Sequence, residues 1–502
     1  MNLSLLILLS VTAARGLGPN VRIDHQNRPS YGCGHSMIAV GQGAASSQPL
    51  YVAFEGDALP GGRSDVWFQK SLDGGRTWLA EDLLIRRGDR YASQPDIATD
   101  SDGNVYVVYK SVFVDTAGAR HYQVECVRSS DGGTTWTAPA RIDDDSVRAI
   151  GWARIAADSA GNLFCAWNDW RTGSGHIWSS VSTDRGATWR QNVQVDDDTT
   201  DYDCYQPDVF VQPGSNHYLV AAQVPRWVGG HVKICAKLYR STDRGLTYGP
   251  GIQLDTFNWY AGYPHVVADR DHMICDYTGA GKGFYGHQNF TESRTFYSGP
   301  DTWGRPSSAT SLDSLHHLYY SGALALSADG RVHTALMICD RSDWRYDVFY
   351  ASSSDHGVTW TDIELVNEDT TGGNWNPDIG ADMAGHAYAV WTQGAQIWFS
   401  TNSPAAIAEV PSQPTGRTKA HVITDHDGIE VEYQLPAVVH VRATLHDAVG
   451  RRIGMLVAGE QKAGLHQLSW NRDQEGRRLS AGAYFVHLDM GTERARLKAV
   501  LR

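Results

Sequence analysis

Short apolar stretches separated by turn residues recur along most of the chain and favour β-strands over helices. One well-marked example runs through Gln94–Ala98, a turn at Asp100–Asn104, and then Val105–Tyr109, Gln123–Arg128 and Ala138–Ile142. Short runs with period-two alternation, bounded by Gly, Asp and Asn, are typical of half-buried strands. Four such strands joined by tight turns predict one blade of a β-propeller.

An eight-residue pattern, Ser-x-Asp-x-Gly-x-Thr followed by an aromatic residue, sits between the third and fourth strands of this unit. It occurs five times along the chain, with its aspartates at Asp73, Asp131, Asp184, Asp243 and Asp355. The intervals between them are 58, 53, 59 and 112 residues, and the last equals two steps of 56. A fixed period of this length predicts a propeller or a solenoid, with one unit that has lost the pattern.

The same order of strands recurs from seven starting points, two of them less well marked, Met37 and Gly322. The last unit supplies three strands, ending at Gln396–Ser400. The segment Asn20–Asp24 resembles the fourth strand Asn192–Asp196 of a complete unit. We therefore predict that Val21–Ile23 pairs in the unit of Trp391 and closes the ring, which removes exposed sheet edges. The predicted fold is all-β with seven blades, and six blades is the alternative.

Composition and charge narrow the choice of function. The chain has 502 residues, with 51 Gly, 17 Trp and 23 Tyr, a mixture that suits short strands and tight turns. From residue 410 onward there are 13 Lys and Arg against 10 Asp and Glu, which leaves 30 against 46 in the preceding part. An acidic main body excludes a nucleic acid as the expected partner.

The first residues predict export. Leu3–Val11 is an apolar run of the length of a signal peptide, followed by small residues at positions 12–14. We expect a signal peptide at residues 1–16 and no transmembrane segment elsewhere. Seven cysteines are spread over the chain without a CxxC pair, so no zinc motif is present and their pairing stays open. We expect neither a metal nor another cofactor.

The five-fold pattern is similar to the Asp-box, or BNR repeat, of sialidases, over residues 20–405. The resemblance implies a propeller at residues 17–405, a structural role for the five aspartates and glycan recognition or exo-glycosidase-type hydrolysis at a central funnel. The family's Arg-Ile-Pro motif is absent, and the nearest string is Trp152–Ile155. Its Tyr–Glu pair is not identifiable either, so the alternative is a non-catalytic secreted binding or scaffold propeller.

First-strand residues of a propeller face its central channel, which gives the candidate site. The polar candidates are Asp96, Arg154, Asp208, His265 and Asp378. Aromatic residues just before them are Tyr91, Trp152, Tyr205, Tyr263 and Trp375. The three aspartates suit either acid–base chemistry or the capping of amides in neighbouring blades. Arg154 and His265 break the repeat and are the stronger functional candidates, since an arginine can hold a carboxylate through two hydrogen bonds.

The end of the chain predicts a separate domain. A linker at residues 406–420 precedes a β-rich tail at 421–502, where Ile429–Leu435 and Val439–Leu445 alternate like strands. Gly464–Trp470 and Leu479–Phe485 resemble FlgD-like immunoglobulin domains and the type IX sorting domains of Gram-negative bacteria. The resemblance implies an immunoglobulin-like β-sandwich, the outer-membrane secretion machinery as partner, and a secreted or cell-surface location. A plain adhesive sandwich is the alternative.

Overall fold

The chain divides into two compact units, residues 1–408 and 409–502, in a computed structural model. The structure describes residues 17–501 except for 26–34, 44–46, 60–62, 86–90, 145–149, 256–259, 281–288, 298–301, 304–306, 309–316, 341, 370–372, 404–419, 425–427, 436–438, 448–451, 463, 472, 475–476, 481 and 491–492. The predicted signal peptide and nearly all of the predicted linker lie outside these residues. In the described part, no helix has the length and apolar character needed to span a membrane.

The secondary structure of the described residues consists of β-strands, which confirms the all-β class. In the first unit, β1 is Val21–Arg22. Sheet 1 contains β2 (Ser36–Val40), β3 (Leu50–Leu59), β4 (Arg63–Ser71) and β5 (Leu83–Leu84). Sheet 2 contains β6 (Tyr91–Thr99), β7 (Val105–Val114), β8 (Arg120–Ser129) and β9 (Ala140–Arg141). Sheet 3 contains β10 (Ile150–Ala157), β11 (Leu163–Asp169), β12 (His176–Ser182) and β13 (Val193–Gln194).

The remaining strands of this unit follow the same order. Sheet 4 contains β14 (Tyr205–Val211), β15 (Tyr218–Val228), β16 (His231–Ser241) and β17 (Ile252–Gln253). Sheet 5 contains β18 (Tyr260–Ala268), β19 (His272–Ala280), β20 (Asn289–Tyr297), β21 (Thr302–Trp303) and β22 (Ser307–Ser308), and joins sheet 4 through one parallel pair, Ile234 with Tyr260. Sheet 6 contains β23 (His317–Leu326), β24 (Val332–Asp340), β25 (Arg345–Ser353) and β26 (Glu364–Leu365). Sheet 7 contains β27 (Asn374–Ala381), β28 (Ala387–Gln393) and β29 (Gln396–Thr401), with β1 at its edge.

The first strands of the sheets pack beside one another in a closed order. Each first strand neighbours that of the next sheet, from β2 through β6, β10, β14, β18 and β23 to β27, and β27 returns to β2. A separate hydrophobic cluster fills the space between successive sheets; Tyr106 of sheet 2, for example, shares one with Trp167 of sheet 3. The first strands therefore surround one central space, and each sheet buries both faces against its neighbours.

The predicted closing strand is confirmed. Val21 pairs with Phe399 and Arg22 with Trp398, so β1 is the fourth strand of sheet 7. Ile23 is fully buried, and its amide donates to the carbonyl of Ile397 at 2.9 Å. The chain thus closes its own ring, with the first strand completing the last sheet.

Each of the five Asp-boxes forms the same hydrogen-bonded turn. In the copy at Asp131, the Ser129 hydroxyl donates to Asp131 Oδ1 at 2.7 Å and accepts the Gly133 amide at 2.7 Å. Thr135 donates its amide to Oδ1 at 2.8 Å and its hydroxyl to Oδ2 at 2.6 Å. The Trp136 ring lies edge-on to Phe68 of sheet 1, with centroids 5.1 Å apart. The box therefore closes its own turn and also fastens its sheet to the preceding one.

Gly133→Ala is expected to lower the free energy of unfolding by about 2–3 kcal/mol, because the added methyl group overpacks the interface between two sheets. A Cβ there would lie 2.4 Å from the Phe68 ring, at a φ of +81° that a side chain adopts at a cost. Gly132→Ala is the matched control, since its φ is +64° but the nearest atom, Tyr51 Oη, is 3.4 Å away. Urea unfolding of both variants measures the difference, and equal losses would contradict the interface role.

The second unit contains two sheets around one core. The first consists of β30 (Ala420–Thr424), β31 (Gly428–Leu435) and β34 (Gly464–Asn471). The second consists of β32 (Val439–Asp447), β33 (Arg452–Gln461), β37 (Gly482–Met490) and β38 (Glu493–Leu501), beside a small ribbon of β35 (Asp473–Gln474) and β36 (Arg477–Arg478). Trp470 of the first sheet and Val486 of the second belong to the same buried cluster. The strands β31, β32, β34 and β37 correspond to the strands predicted from the sequence, whereas β30, β33, β38 and the ribbon have no predicted counterpart.

Six of the seven cysteines are described, and the side chains of all six are buried. Burial raises the pKa of Cys126 to about 12 and that of Cys235 to about 11. Such thiols remain protonated at neutral pH and act as small core residues. Cys33 lies outside the described residues.

Candidate functional site

A β-bulge shapes each of five inner strands at the same position. Five non-glycine residues there have positive φ values of 35° to 54°, namely Gln94, Trp152, Gln206, Tyr263 and Asn376. The pairing register of the strand shifts at each of them. In four of the five the next residue is proline, which has no amide to contribute to the ladder. A bulge re-aims the side chains that follow it, and these follow by two residues: Asp96, Arg154, Asp208, His265 and Asp378.

The three aspartates of this set join neighbouring inner strands. One carboxylate oxygen of each accepts a backbone amide of the next sheet in the order. The three bonds are Ile155 N to Asp96 Oδ2 at 2.7 Å, Val266 N to Asp208 Oδ2 at 2.8 Å, and Ile38 N to Asp378 Oδ2 at 2.7 Å. These bonds connect sheet 2 to 3, 4 to 5 and 7 to 1. The three carboxylates thus have a structural role, because each holds two adjacent sheets together.

A cavity of about 200 Å³ lies between the inner strands. Four of the five polar candidates line it, namely Arg154, Asp208, His265 and Asp378, together with the aromatic candidates Trp152 and Tyr263. Asp96 is buried and is not among the lining residues, although its charge interacts with Arg154. We refer to this space as the central cavity.

Two aromatic candidates lie beside the central cavity rather than in its lining. The Tyr205 hydroxyl donates to Asp203 Oδ2 at 2.7 Å. The Trp375 ring lies 4.0 Å from that of Tyr346. The side chain of Tyr91, a further candidate, lies outside the described residues.

The electrostatics of the cavity are dominated by buried carboxyl groups around one cation. Burial raises the pKa of Asp96 to about 6 and that of Asp378 to about 7, and it also raises the pKa of Asp208. The Arg154 guanidinium opposes the shift in all three cases because it stabilises the ionised carboxylates. Desolvation therefore outweighs the attraction of the arginine.

The two histidines of the cavity behave differently from each other. Burial alone would lower the pKa of His265, but its hydrogen bond to Asp276, 3.1 Å from Nδ1, and the charge of that group raise it. Burial and the nearby Arg154 lower the pKa of His35 to about 3, so its ring is neutral at ordinary pH. The cavity therefore offers a protonatable histidine in sheet 5 and a neutral one beside sheet 1.

Sequence reasoning missed four polar or polarisable residues of the cavity: His35, Met37, Gln206 and Asn376. The His35 ring packs edge-on against Trp152 with centroids 4.8 Å apart, and Arg154 Nη1 lies 3.9 Å from Met37 Sδ. Gln206 and Asn376 could have been identified from the repeat, because each directly precedes a Pro-Asp pair. His35 occupies the same place relative to Met37 in a unit without that motif.

Metal ligands do not converge on this cavity in the described residues. Among the described residues, two groups of three side chains could hold a metal ion. They are His176 with Asp196 and Cys204, and Asp269 with His272 and His356. Neither group lines the central cavity. The central cavity is therefore suited to recognition by hydrogen bonds, one cation and aromatic faces.

Five repeated Asp-boxes and cyclically packed antiparallel sheets define the first unit as a repeat-built β-propeller of sialidase-like type. Residues 48–261 match the BNR repeat-like domain family, and residues 419–492 match the FlgD Ig-like domain family. Each match covers a part of the chain whose motifs carry the corresponding resemblance. No curated protein sequence matches it significantly.

Solved structures that are similar to this chain include two sialidases and an α-L-arabinofuranosidase. The Hadza microbial sialidase Hz136 is 16% identical, with 72% of this chain and 75% of that chain covered and a TM-score of 0.44. The GH93 α-L-arabinofuranosidase of Fusarium graminearum is 14% identical, with 77% and 98% covered and a TM-score of 0.44. The Trypanosoma rangeli sialidase is 11% identical, with 84% and 86% covered and a TM-score of 0.41. Those activities belong to the named proteins.

Proposed function

We propose that the first unit is a seven-bladed propeller that binds a glycan without carboxylate groups in its central cavity. The observation that carries this is the buried Oε1 atom of Gln206, which has no hydrogen-bond partner among the described residues while its side chain lines the cavity. A buried acceptor of this kind is normally satisfied, and a sugar hydroxyl would satisfy it. The seven antiparallel strand groups in cyclic order support the blade count.

The rest of the lining also suits a sugar. Trp152 and Tyr263 offer aromatic faces, and the Asn376 amide can both donate and accept hydrogen bonds. Pockets that select small polar ligands combine apolar walls with a few placed polar groups. Arg154 and His265 provide the positively charged and protonatable donors.

The balance of charge disfavours a sialic acid. Arg154 is the one arginine among the described lining residues, and the charges of Asp96, Asp208 and Asp378 already interact with it. A bound carboxylate would compete with these groups for the same cation and would be repelled by them at short range. An uncharged or amino-bearing sugar meets neither obstacle.

Glycoside hydrolysis is a second candidate, and the raised pKa of Asp378 favours it. With a pKa of about 7, this carboxyl group carries a proton in about half of the molecules at neutral pH, and a general acid for a glycosidic oxygen requires such a proton. Its Oδ2 is used by the Ile38 amide, so Oδ1 would be the atom that delivers the proton.

We also propose that the chain is exported, with residues 1–16 as a signal peptide and 421–502 as an immunoglobulin-like sorting domain. The FlgD Ig-like match over residues 419–492 supports the second part. The outer-membrane secretion machinery of a Gram-negative bacterium would then be a partner, and the final location the cell surface or medium. Fractionation of cells that express the chain with and without residues 409–502 tests this, since an unchanged distribution would contradict it.

A glycan array with the full chain tests binding. We expect retention of neutral or amino-bearing glycans, no retention of sialosides, and at least a roughly tenfold loss of affinity in Gln206→Ala, the size expected for one lost hydrogen bond to a buried group. Gln94→Ala is the matched control, because Gln94 occupies the same bulge position in sheet 2 and is not among the lining residues. Equal losses in both variants, or binding of sialosides alone, would contradict the proposal.

A hydrolysis screen on fluorogenic glycosides separates the two candidates. Turnover that disappears in both Asp378→Asn and Arg154→Ala would establish a hydrolase. Absence of turnover combined with array binding would establish a binding propeller.

A further inference from the structure

Away from the central cavity, one carboxylate contacts two imidazole rings. Asp269 and His272 are the ends of the hairpin turn between β18 and β19 of sheet 5, and His356 belongs to the Asp-box of sheet 6. His272 Nδ1 and His356 Nε2 each lie 3.0 Å from Asp269 Oδ2. The two rings are stacked, with centroids 4.0 Å apart and planes 27° from parallel. Two sheets thus contribute to one compact group.

In the Asp-box of sheet 3, the residue at the position of His356 is an arginine that forms an ordinary ion pair with the neighbouring sheet. Arg185 follows the aspartate of the box in sheet 3, as His356 does in sheet 6, and both have a positive φ of about 60°. Arg185 forms an ion pair with Asp102 in the turn of sheet 2. At the junction of sheets 5 and 6 the chain instead has a histidine in the box, and a second histidine is in the turn.

We propose that Asp269, His272 and His356 form a binding site for a divalent transition-metal ion of the zinc type that bridges sheets 5 and 6. Imidazole nitrogen and carboxylate oxygen are preferred zinc ligands, at about 2.0–2.2 Å from the ion. At that distance, ligand atoms of a tetrahedral site lie roughly 3.3 Å apart, close to the separations in this group. The three ligand atoms lie within 4.8 Å of one another. Water would complete the coordination.

The exposure of the group fits exchange with solvent. The side chains of Asp269, His272 and His356 are 32%, 24% and 27% exposed, so an ion can reach them without unfolding. A site with two histidines and one carboxylate leaves coordination positions open and suits zinc, nickel, copper or iron more than calcium or magnesium, which prefer oxygen ligands.

The second convergent group is explained by the fold itself. Asp196 accepts the Ile177 amide at 2.6 Å, and Asp143 and Asp255 accept equivalent amides in sheets 2 and 4. His176 Nδ1 is bonded to the same Asp196 at 2.8 Å, and the third member, Cys204, is fully buried. The amide bond that Asp196 accepts therefore recurs in sheets 2 and 4, at aspartates outside this group of three.

The test uses the full chain, treated with a chelator and then titrated with Zn²⁺ in a calorimeter. We expect one equivalent of Zn²⁺ to bind. His272→Ala and His356→Arg should each weaken binding by more than about 100-fold. Loss of a residue that only hydrogen-bonds to a metal ligand typically costs about 10–100-fold. His356→Arg introduces the residue type that the Asp-box of sheet 3 has at this position, and the arginine can still form an ion pair with Asp269. Its melting temperature without metal should therefore equal that of the wild type. His176→Gln, outside the proposed site, should bind normally.

Cobalt gives a readout independent of any activity. Co²⁺ bound to Asp269 and the two histidines should show weak visible bands without a thiolate charge-transfer band. A thiolate band, binding retained in His356→Arg, or no binding by the wild type would each overturn the proposal. If His356→Arg melts lower without metal, His272→Gln replaces it in the comparison. The proposal is independent of what the central cavity binds.

Discussion

A chain that begins after residue 25 is expected to lose the cooperative unfolding transition of its first unit. Removal of residues 17–25 deletes Leu17 and Ile23, which are 5% and 0% exposed. Their burial contributes on the order of 3–6 kcal/mol together. The carboxylate of Asp24, which accepts the Ile397 amide at 2.7 Å, disappears as well. The sum is comparable with the 5–15 kcal/mol that stabilises an ordinary domain.

Differential scanning calorimetry distinguishes ring closure from a general effect of truncation. A chain that begins at Leu17 should unfold like the full chain, and the transition of residues 409–502 should remain in both truncations because that unit has its own core. Ile23→Ala is the graded variant and should cost about 2–5 kcal/mol. An unchanged transition in the chain that begins at residue 26 would show that sheet 7 is stable with three strands.

The repeat made most of the architecture predictable from sequence. Asp-box residues such as Ser129 and Asp131 bond within one turn, so their spacing alone encodes the structure. The closing strand could also be predicted, because Val21–Ile23 carries the same alternation as the outer strands it imitates. These features depend on local chemistry repeated at a fixed period.

The site was less predictable because it depends on positions brought together from different sheets. Arg154, Asp208 and Asp378 were identifiable as inner-strand residues. The amide bonds that Asp208 and Asp378 accept from the next sheet, however, follow from the bulges at positions such as Gln206. His35 reaches the cavity from a unit without the Pro-Asp motif. The contact of His356 with Asp269 joins residues 87 positions apart in sequence and has no spacing signature.

Asp378→Asn is expected to leave stability nearly unchanged at pH 4 and to increase it above pH 7. The amide of asparagine has the shape and the donor and acceptor of a protonated carboxyl group, so it can still accept the Ile38 amide. In the wild type, burial raises the pKa of Asp378 from an ordinary value near 4 to about 7. The folded chain therefore holds this proton more tightly than the unfolded chain does.

The sign of the pH dependence follows from that difference. The favourable contribution of the protonated Asp378 is fully present below pH 4 and is lost as the pH rises through 7, which amounts to about 4 kcal/mol at alkaline pH. Asp243→Asn should show the opposite trend, because hydrogen bonds from Thr247 outweigh desolvation and lower the pKa of Asp243 to about 2. That variant should be less stable than the wild type at pH 8, with a difference that begins to shrink near pH 4 and is lost as the pH falls through 2. Urea unfolding at several pH values measures both. A constant difference for Asp378→Asn would mean that Asp378 has the same pKa in the folded and the unfolded chain, so that it is ionised at neutral pH and holds no proton for acid catalysis.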